Sequence, residues 1–382
     1  GSFRIFPNQY VMLIAEPGAR KSTAIKMARK LIAKAGYSHF AAEKTSKEKF
    51  LLDLEGVEDA GDAQVSSELV MENLLGSTIG SEPRETFIVA DEFNDFMRCG
   101  DLEFHSMLGA LWDWDDESTP YKQRLKNSRS VSIFQPTISL LGGNTHTGFA
   151  EMFPPQAIGQ GFLSRMLLVF SEPSGRKIAF PEPPSVEREQ TLIRAIQTLR
   201  ARCNGPMRMS GKAKEVLTTI YNSYQGFDDA RFTSYQNRRY THLLKLCMLC
   251  ACVRLSMEIE LADVVKANTI LSYTEHFMPK ALGEFGKAKN ADVQQKILSL
   301  LTAESARGPV DIPELWKQVS SDLDRQEDLA RMLAGLQTAG KIQYVKGGAN
   351  SAKGYLIVRK VISNQQLYVN SDLMKEYENA KV

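Results

Sequence analysis

The stretch Tyr10-Val11-Met12-Leu13-Ile14-Ala15-Glu16-Pro17-Gly18-Ala19-Arg20-Lys21-Ser22-Thr23 decides the fold. Its apolar first half has the length of a buried strand. From Thr23 to Ala35 apolar residues recur at helical spacing, with Lys and Arg on the open face. A loop joining such a strand to such a helix, and closing on Lys-Ser, suits a polyphosphate. Backbone N–H groups at the helix start point at the anion, Lys21 meets its terminal phosphates, and the Ser22 hydroxyl reaches the accompanying Mg²⁺. Ala15, Glu16, Pro17, Gly18, Ala19, Arg20, Lys21, Ser22 and Thr23 are therefore expected to line a nucleotide site. Two positions depart from the usual pattern: Ala15 stands first in the loop, and Arg20 replaces the glycine before the lysine.

Working outward, three more apolar runs end or begin on polar residues suited to the same chemistry. Thr86 to Ala90 ends in Asp91-Glu92. Hydrolysis on Mg²⁺ needs one carboxylate for the metal, here Asp91 with Ser22, and one to orient or deprotonate water, here Glu92. Thr137 to Leu141 ends in Gly142-Gly143-Asn144, so Asn144 is expected to hold that water or the γ phosphate; the other reading is a turn residue. Met166 to Phe170 follows Ser164-Arg165, and Arg165 reads as an arginine presented to phosphate or as a surface ion pair. Strands separated by helices predict an α/β fold with a mostly parallel sheet and its site along one edge.

A proline-rich linker, Ser171 to Ser185, closes a core domain over 1–185. Helical periodicity then dominates 186–290, in Val186 to Arg202, Lys212 to Tyr224, Arg238 to Leu255 and Leu261 to Leu282. Over 291–362 the pattern predicts three helices followed by a strand pair, Lys341 to Val345 and Gly354 to Val358, which makes a winged helix. The tail, 363–382, carries no signal. Cys247, Cys250 and Cys252 fall in an apolar helical stretch without a second ligand pair, and read as buried reduced thiols rather than zinc ligands.

The 382 residues are 43% apolar and 24% charged, with 47 basic against 45 acidic side chains and a net charge of +2. That balance offers no bulk attraction to nucleic acid, so any such role rests on local clusters. No stretch has the length of a membrane span or the layout of a secretion signal, and a cytoplasmic location is expected. Gly1-Ser2 reads as a cloning scar, with the natural chain continuing upstream of Phe3.

In this order the motifs resemble the AAA+ ATPases and, within them, the minichromosome maintenance (MCM) replicative helicases. The loop Glu16-Pro17-Gly18-Ala19-Arg20-Lys21-Ser22 is similar to that family's Gly-Asp-Pro-Gly-x-x-Lys-Ser, in which a non-glycine often precedes the lysine. Asp91-Glu92-Phe93-Asn94-Asp95-Phe96-Met97 resembles its Asp-Glu-Phe-Asp-Lys-Met, and Leu163-Ser164-Arg165-Met166 its Leu-Ser-Arg-Phe. The resemblance, spanning about Tyr10 to Leu282, implies an AAA+ core, an all-α lid and a C-terminal winged helix. It also implies a homo-oligomeric ring, a hexamer, that hydrolyses ATP with Mg²⁺. Arg165 would be the finger reaching a neighbouring subunit's γ phosphate, and Arg238, near Leu243-Leu244-Lys245-Leu246, the lid arginine, with Arg239 as runner-up. The chain departs from the family in showing Asn144-Thr145 for Asn-Pro and in lacking its oligonucleotide-binding domain and its basic-glycine hairpin motif. Phage, prophage and plasmid replication ATPases, often linked to a primase-like or origin-binding region, are the closer kind of match.

The implied activity is an ATP-dependent DNA helicase or translocase, with a replication initiator or helicase loader as the alternative. Non-specific DNA contact, to single strand or fork, needs basic loops. Lys122, Arg124, Lys126 and Arg129 lie just before the strand that ends at Asn144, where a pore hairpin would sit; a solvated loop is the other reading. The winged helix, with Arg325, Arg331, Lys346 and Lys353 beside Glu327 and Asp328, suits DNA or protein.

Overall fold

The computed structural model describes residues 4–56, 84–97, 101–114, 119–124, 130–153, 161–170, 179–180, 184–224, 226, 230–282, 291–304, 307–323, 325–338, 341–346, 353–357 and 368–379. They fall into two compact units, 1–285 together with 367–382, and 286–366. The first unit takes in both the expected core and the following helices, and regains the chain's last stretch.

In the first unit, β1 (Tyr10–Ile14) leads through the loop 15–20, the expected phosphate loop, into α1 (Lys21–Lys34), followed by α2 (Lys47–Glu55). Then come β2 (Glu85–Ala90), the single turn α3 (Phe93–Phe96), and α4 (Leu102–Trp112). An antiparallel pair, β3 (Tyr121–Arg124) and β4 (Ser130–Ile133), precedes β5 (Thr137–Asn144), α5 (His146–Met152) and β6 (Met166–Phe170). The four long strands form one parallel sheet in the order β2-β5-β1-β6. A parallel bridge from Phe40 to Phe87 extends it beyond β2. Each strand is thus the parallel neighbour of one distant in sequence, and all four C-terminal ends reach the same edge. The register levels Ile14 with Asn144 and with Phe170, and Tyr10 with Met166.

The sheet's core carries Tyr10, Met12, Ile14, Ile88, Ile138, Leu140 and Leu168, covered by Ile25 of α1 on one side and by Phe104, Leu108 and Leu111 of α4. Continuous apolar runs rather than alternating ones are what a sheet buried on both faces requires.

The helical half of this unit has α6 (Val186–Arg202), α7 (Gly211–Ser223), α8 (Thr233–Val253) and α9 (Leu261–Leu282). The two-residue strands β7 (Arg208–Met209) and β8 (Glu258–Ile259) tie the starts of α7 and α9 together. Helix α8 begins five residues before Arg238, so that arginine lies inside the helix rather than at its start. Cys247 and Cys250 are buried free thiols, and burial pushes the Cys250 thiol up to about 11.

The second unit has α10 (Ala291–Glu304), α11 (Ile312–Val319), α12 (Gln326–Thr338) and the antiparallel pair β9 (Ile342–Val345) and β10 (Gly354–Ile357). Val310 bridges Tyr355 as a third short pairing. Ile297, Leu301, Leu315, Val319, Leu329, Leu333 and Ile342 form a separate apolar core. Asp311 caps α11, its carboxylate accepting from the Glu314 N–H at 2.9 Å, with Pro313 in the first turn where no donor is missed.

Three sequence expectations need correction. Helix α2 and helix α5 carry no long apolar stripe and were not expected; Ser46 and Thr145, accepting from the N–H groups of Lys49 and Gly148, nucleate them. The tail without signal contains α13 (Ser371–Asn379), which packs on α9 in the first unit. The basic stretch after α4, where a hairpin is expected, is an antiparallel pair at its described base. Lys126 and Arg129, the linker over 171–178, part of the acidic loop and the wing tip lie outside the described residues.

Candidate functional site

The shared C-terminal edge of the sheet holds a cleft of about 640 Å³ lined by Gly18, Lys21, Ser22, Asp91, Glu92 and Asn144, among others. All come from strand exits predicted to bear the site, and each is delivered by a local device. In the phosphate loop Gly18 (φ 82°) and Arg20 (φ 60°) are both left-handed, which turns the chain sharply from β1 into α1. Lys21 Nζ donates to the loop's own carbonyls, Ala15 O at 2.6 Å and Glu16 O at 3.0 Å. Burial pushes the Lys21 ammonium below its ordinary range, with Glu16 and Glu92 pulling it back up. Thr23 follows in the first turn of α1 and is exposed, outside the cleft lining; Ala15, buried, and Glu16 also stand outside it and offer their carbonyls to Lys21.

Beyond β2, Phe93 and Phe96 stack at 5.7 Å and are fully buried. They pin the turn after the strand into the core and leave Glu92 exposed in the cleft with Asp91 half-buried beside it. Asp91 Oδ2 pairs with Lys26 Nζ at 2.7 Å, and that bond raises the ammonium's pKa.

Asn144, at the end of β5, is only 5% exposed. Its Nδ2 donates to Asn94 Oδ1 at 2.8 Å, its Oδ1 accepts from the Thr145 N–H at 2.9 Å, and Asn94 Nδ2 donates to Gly148 O at 3.0 Å. One amide N–H and one lone pair of Asn144 are left for a ligand. Two glycines permit this closeness. A Cβ on Gly143 would sit 2.4 Å from Asp91 O, and one on Gly148 2.4 Å from Asn144 Oδ1. Sequence reasoning passed over Asn94, although it follows the acidic pair by two residues and lies within the quoted motif.

His146 was also missed. Its Nδ1–H donates to Ala281 O at 3.0 Å and its Nε2 lies 3.8 Å from Glu16 Oε1, so it bridges the phosphate loop and the last turn of α9.

Arg165 and Arg238 are elsewhere. Arg165 immediately precedes β6, level with the start of β1, so the length of a five-residue strand, about 16 Å, separates it from the phosphate-loop edge. Both guanidiniums meet Asp113, which ends α4. Its Oδ2 accepts from Arg165 Nε at 3.0 Å and Nη2 at 2.8 Å, and from Arg238 Nη1 at 2.6 Å. Arg165 Nη1 also donates to Gly161 O at 2.8 Å. Burial lowers the Arg165 pKa, Asp113 opposes that shift and Arg238 adds to it.

Behind this cluster, α8 presents His242 and Lys245 on the same face as Arg238, spaced for successive helical turns. His242 Nε2–H donates to Ser164 O at 3.0 Å; Lys245 Nζ donates to Asn8 Oδ1 at 2.5 Å and to Trp112 O at 3.2 Å. Lys245 also lies 4.0 Å from the Trp112 ring centroid. Burial takes His242 down to about 4 and Lys245 down to about 7. Arg239, the runner-up for the lid arginine, points into the core. It pairs with Glu275 at 2.7 Å, donates to Asn268 at 2.9 Å and lies over Tyr224. Of the two, Arg238 is the one that keeps a partly exposed side chain, at 32%.

Among the described residues no group of three His, Cys, Asp or Glu side chains could hold a metal ion, and no helix is long and apolar enough to cross a membrane. Lys122 and Arg124 are exposed on β3, alternating with Tyr121 and Gln123. No family model matches the chain, and no curated protein matches it.

Proposed function

We propose that the chain is an ATP-hydrolysing subunit of the AAA+ kind that works as a DNA helicase or translocase in a homo-oligomeric ring, serving replication of a phage, plasmid or other mobile element. The observation that carries this reading is the division of the site between two sheet edges. Lys21, Ser22, Asp91, Glu92 and Asn144 line one cleft, while Arg165 and Arg238 stand a strand's length away on the opposite edge. A protomer's arginines therefore cannot serve its own phosphate loop. A second copy placed head to tail would bring them to it, and repetition of a heterologous contact closes a ring.

In that arrangement Lys21 leaves the loop carbonyls for the β and γ phosphates, and the loop N–H groups hold the rest of the chain of phosphates. Glu92 orients the attacking water and takes its proton. Asn144, held by Asn94, fixes that water with its remaining N–H. Arg165 and Arg238 of the adjoining copy balance charge that develops on the transferred phosphoryl group.

The residues present fit magnesium. Ser22 and Asp91 offer hard oxygen donors in the cleft, and an ion that keeps several waters and binds phosphate oxygens needs few protein ligands. The Lys26 partner of Asp91 is 71% exposed and exchanges with solvent readily. When bound, the ion supplies charge neutralisation at the phosphates.

The paired strands β3 and β4, with Lys122 and Arg124 exposed, support a backbone-gripping hairpin in which Lys126 and Arg129 would take part. Three helices and a hairpin in the second unit support a winged helix. The test is turnover and strand displacement on a forked duplex. DNA-stimulated hydrolysis is expected, to be lost in Glu92→Gln by about 100-fold or more with ATP binding retained. Stimulation alone is expected to disappear when Lys122, Arg124, Lys126 and Arg129 are all replaced by Ala. Hydrolysis without unwinding by the intact ring would favour an initiator or loader instead.

A further inference from the structure

We propose that Asp113 is a positioning residue for the neighbouring subunit's hydrolysis site, gathering Arg165 and Arg238 into one phosphate-binding pair. The inference rests on the two-edge reading of the site above and names the group that makes its second edge work.

Arg165 and Arg238 come from different parts of the fold, the start of β6 and the middle of α8. Two guanidiniums brought side by side repel each other. Here a single oxygen, Asp113 Oδ2, accepts from both, so each lies within a hydrogen bond of the same atom. Charge-assisted bonds of this kind are short and directional, and they fix guanidinium planes as well as positions. One carboxylate against two cations leaves the cluster with net positive charge, and Arg238 contributes only Nη1 to Asp113. The pair is thus presented to an incoming anion already oriented.

The carboxylate itself stands on a rigid base. The carbonyl of Trp112, one residue earlier, accepts from Lys245 Nζ at 3.2 Å and from Asn8 Nδ2 at 3.4 Å, and the Trp112 side chain is buried. Lys245 lies two turns from Arg238 on α8, and His242 between them binds the carbonyl of Ser164, next to Arg165. The same helix face that carries Arg238 therefore clamps the backbone on both sides of the cluster. Among the described residues nothing in this arrangement touches the protomer's own phosphate loop, and the catalytic effect of Asp113 is felt in another subunit.

Subunit mixing tests this directly with the full-length chain. Asp113→Ala and the near-isosteric Asp113→Asn are expected to lower turnover by about 10- to 100-fold, the loss that follows from misplacing a charge-stabilising group. ATP affinity of the protomer's own loop is expected to stay within about twofold, since the sites are distant. Lys21→Ala protomers are inactive at their own loop but retain an intact Asp113 edge. Mixed with either Asp113 variant, they are expected to restore turnover at the interfaces where a wild-type loop meets a wild-type edge. Arg165→Ala mixed with Lys21→Ala is the control. Wild-type turnover in both Asp113 variants, or a loss that mixing does not rescue while the Arg165→Ala mixture is rescued, overturns the role of Asp113 and leaves the two-edge site standing. Failure of the Arg165→Ala mixture as well removes the two-edge site and the Asp113 role together.

Discussion

Asn144 donates to Asn94 across 2.8 Å, joining the end of β5 to the turn that follows the acidic pair of β2. The bond ties the group expected to hold the water to the element that carries Glu92. Asn94→Ala is expected to leave ATP binding unchanged and to lower kcat by about 10-fold, less than the roughly 100-fold or more that a group transferring the proton itself contributes, because Asn94 acts only through Asn144. Combined with Asn144→Ala the losses should be less than additive, because both remove one interaction. Gly148→Ala, whose Cβ would meet Asn144 Oδ1 at 2.4 Å, should reproduce the defect with both asparagines retained. Steady-state kinetics with a separate nucleotide-binding titration checks all three.

Arg20 occupies a left-handed conformation, φ 60° and ψ 24°, immediately before α1. A non-glycine residue there costs about 1–2 kcal/mol, of which glycine would recover a part after its own entropic cost in the unfolded chain of about 0.5–1 kcal/mol. Arg20→Gly is therefore expected to raise stability slightly, by up to about 1 kcal/mol, whereas the β-branched Arg20→Val should lower it by about 1 kcal/mol. The urea midpoints at constant slope report both. A marked loss in Arg20→Gly would mean that the arginine side chain stabilises the loop.

Arg239 and Glu275 are an enclosed ion pair, 5% and 8% exposed at the side chain and 2.7 Å apart. Burial pushes the Glu275 carboxyl up, and Arg239 and Tyr235 hold it back. Glu275→Ala leaves the guanidinium unpaired inside the helical half and is expected to cost about 3–5 kcal/mol. Arg238→Ala, one residue along but partly exposed, should cost below about 1 kcal/mol and act on turnover instead. Thermal or urea unfolding set beside ATPase rates separates the two neighbours.

Lys245 is 2% exposed, and Asp113, Arg165 and His242 are the ionisable groups facing it. Its folded pKa, about 7, lies below its usual 10.5, so between those values the unfolded chain binds a proton that the folded chain does not. Stability contributed by this residue thus rises with pH across that window, by up to about 1.4 kcal/mol per pH unit. Below pH 7 the cost of the buried charge is fully present. His242, depressed to about 4, acts in the same direction from about pH 4 to 6.5. Lys245→Met is expected to flatten the upper window while leaving the lower one, which unfolding midpoints measured across the pH range would show.

The phosphate loop, the Asp91-Glu92 exit and the strands and helices that carry them were legible because each is a contiguous run whose residues act within one turn of the chain. Apolar runs and helical periodicity are local properties, and Lys21, Glu92 and Asn144, read from them, line one cleft at the sheet edge. Helices α2, α5 and α13 escaped because their starts depend on single capping side chains and their burial on partners far along the chain. The choice between Arg238 and Arg239 also had no local signal. Adjacent residues on a helix point about 100° apart, so which one faces the core depends on where α9 packs. The Asn144–Asn94 bond spans 50 residues and the Arg238–Asp113 bond 125. Such pairs are made only when parallel strands and the helices beside them bring distant segments together. The sequence by itself determined a strand–loop–helix that closes on Lys21-Ser22, and a neighbouring strand that exits on Asp91-Glu92. The tertiary structure decided that the arginines sit at the far edge, gathered by Asp113, because strand order and helix packing, not spacing along the chain, set which side chains meet.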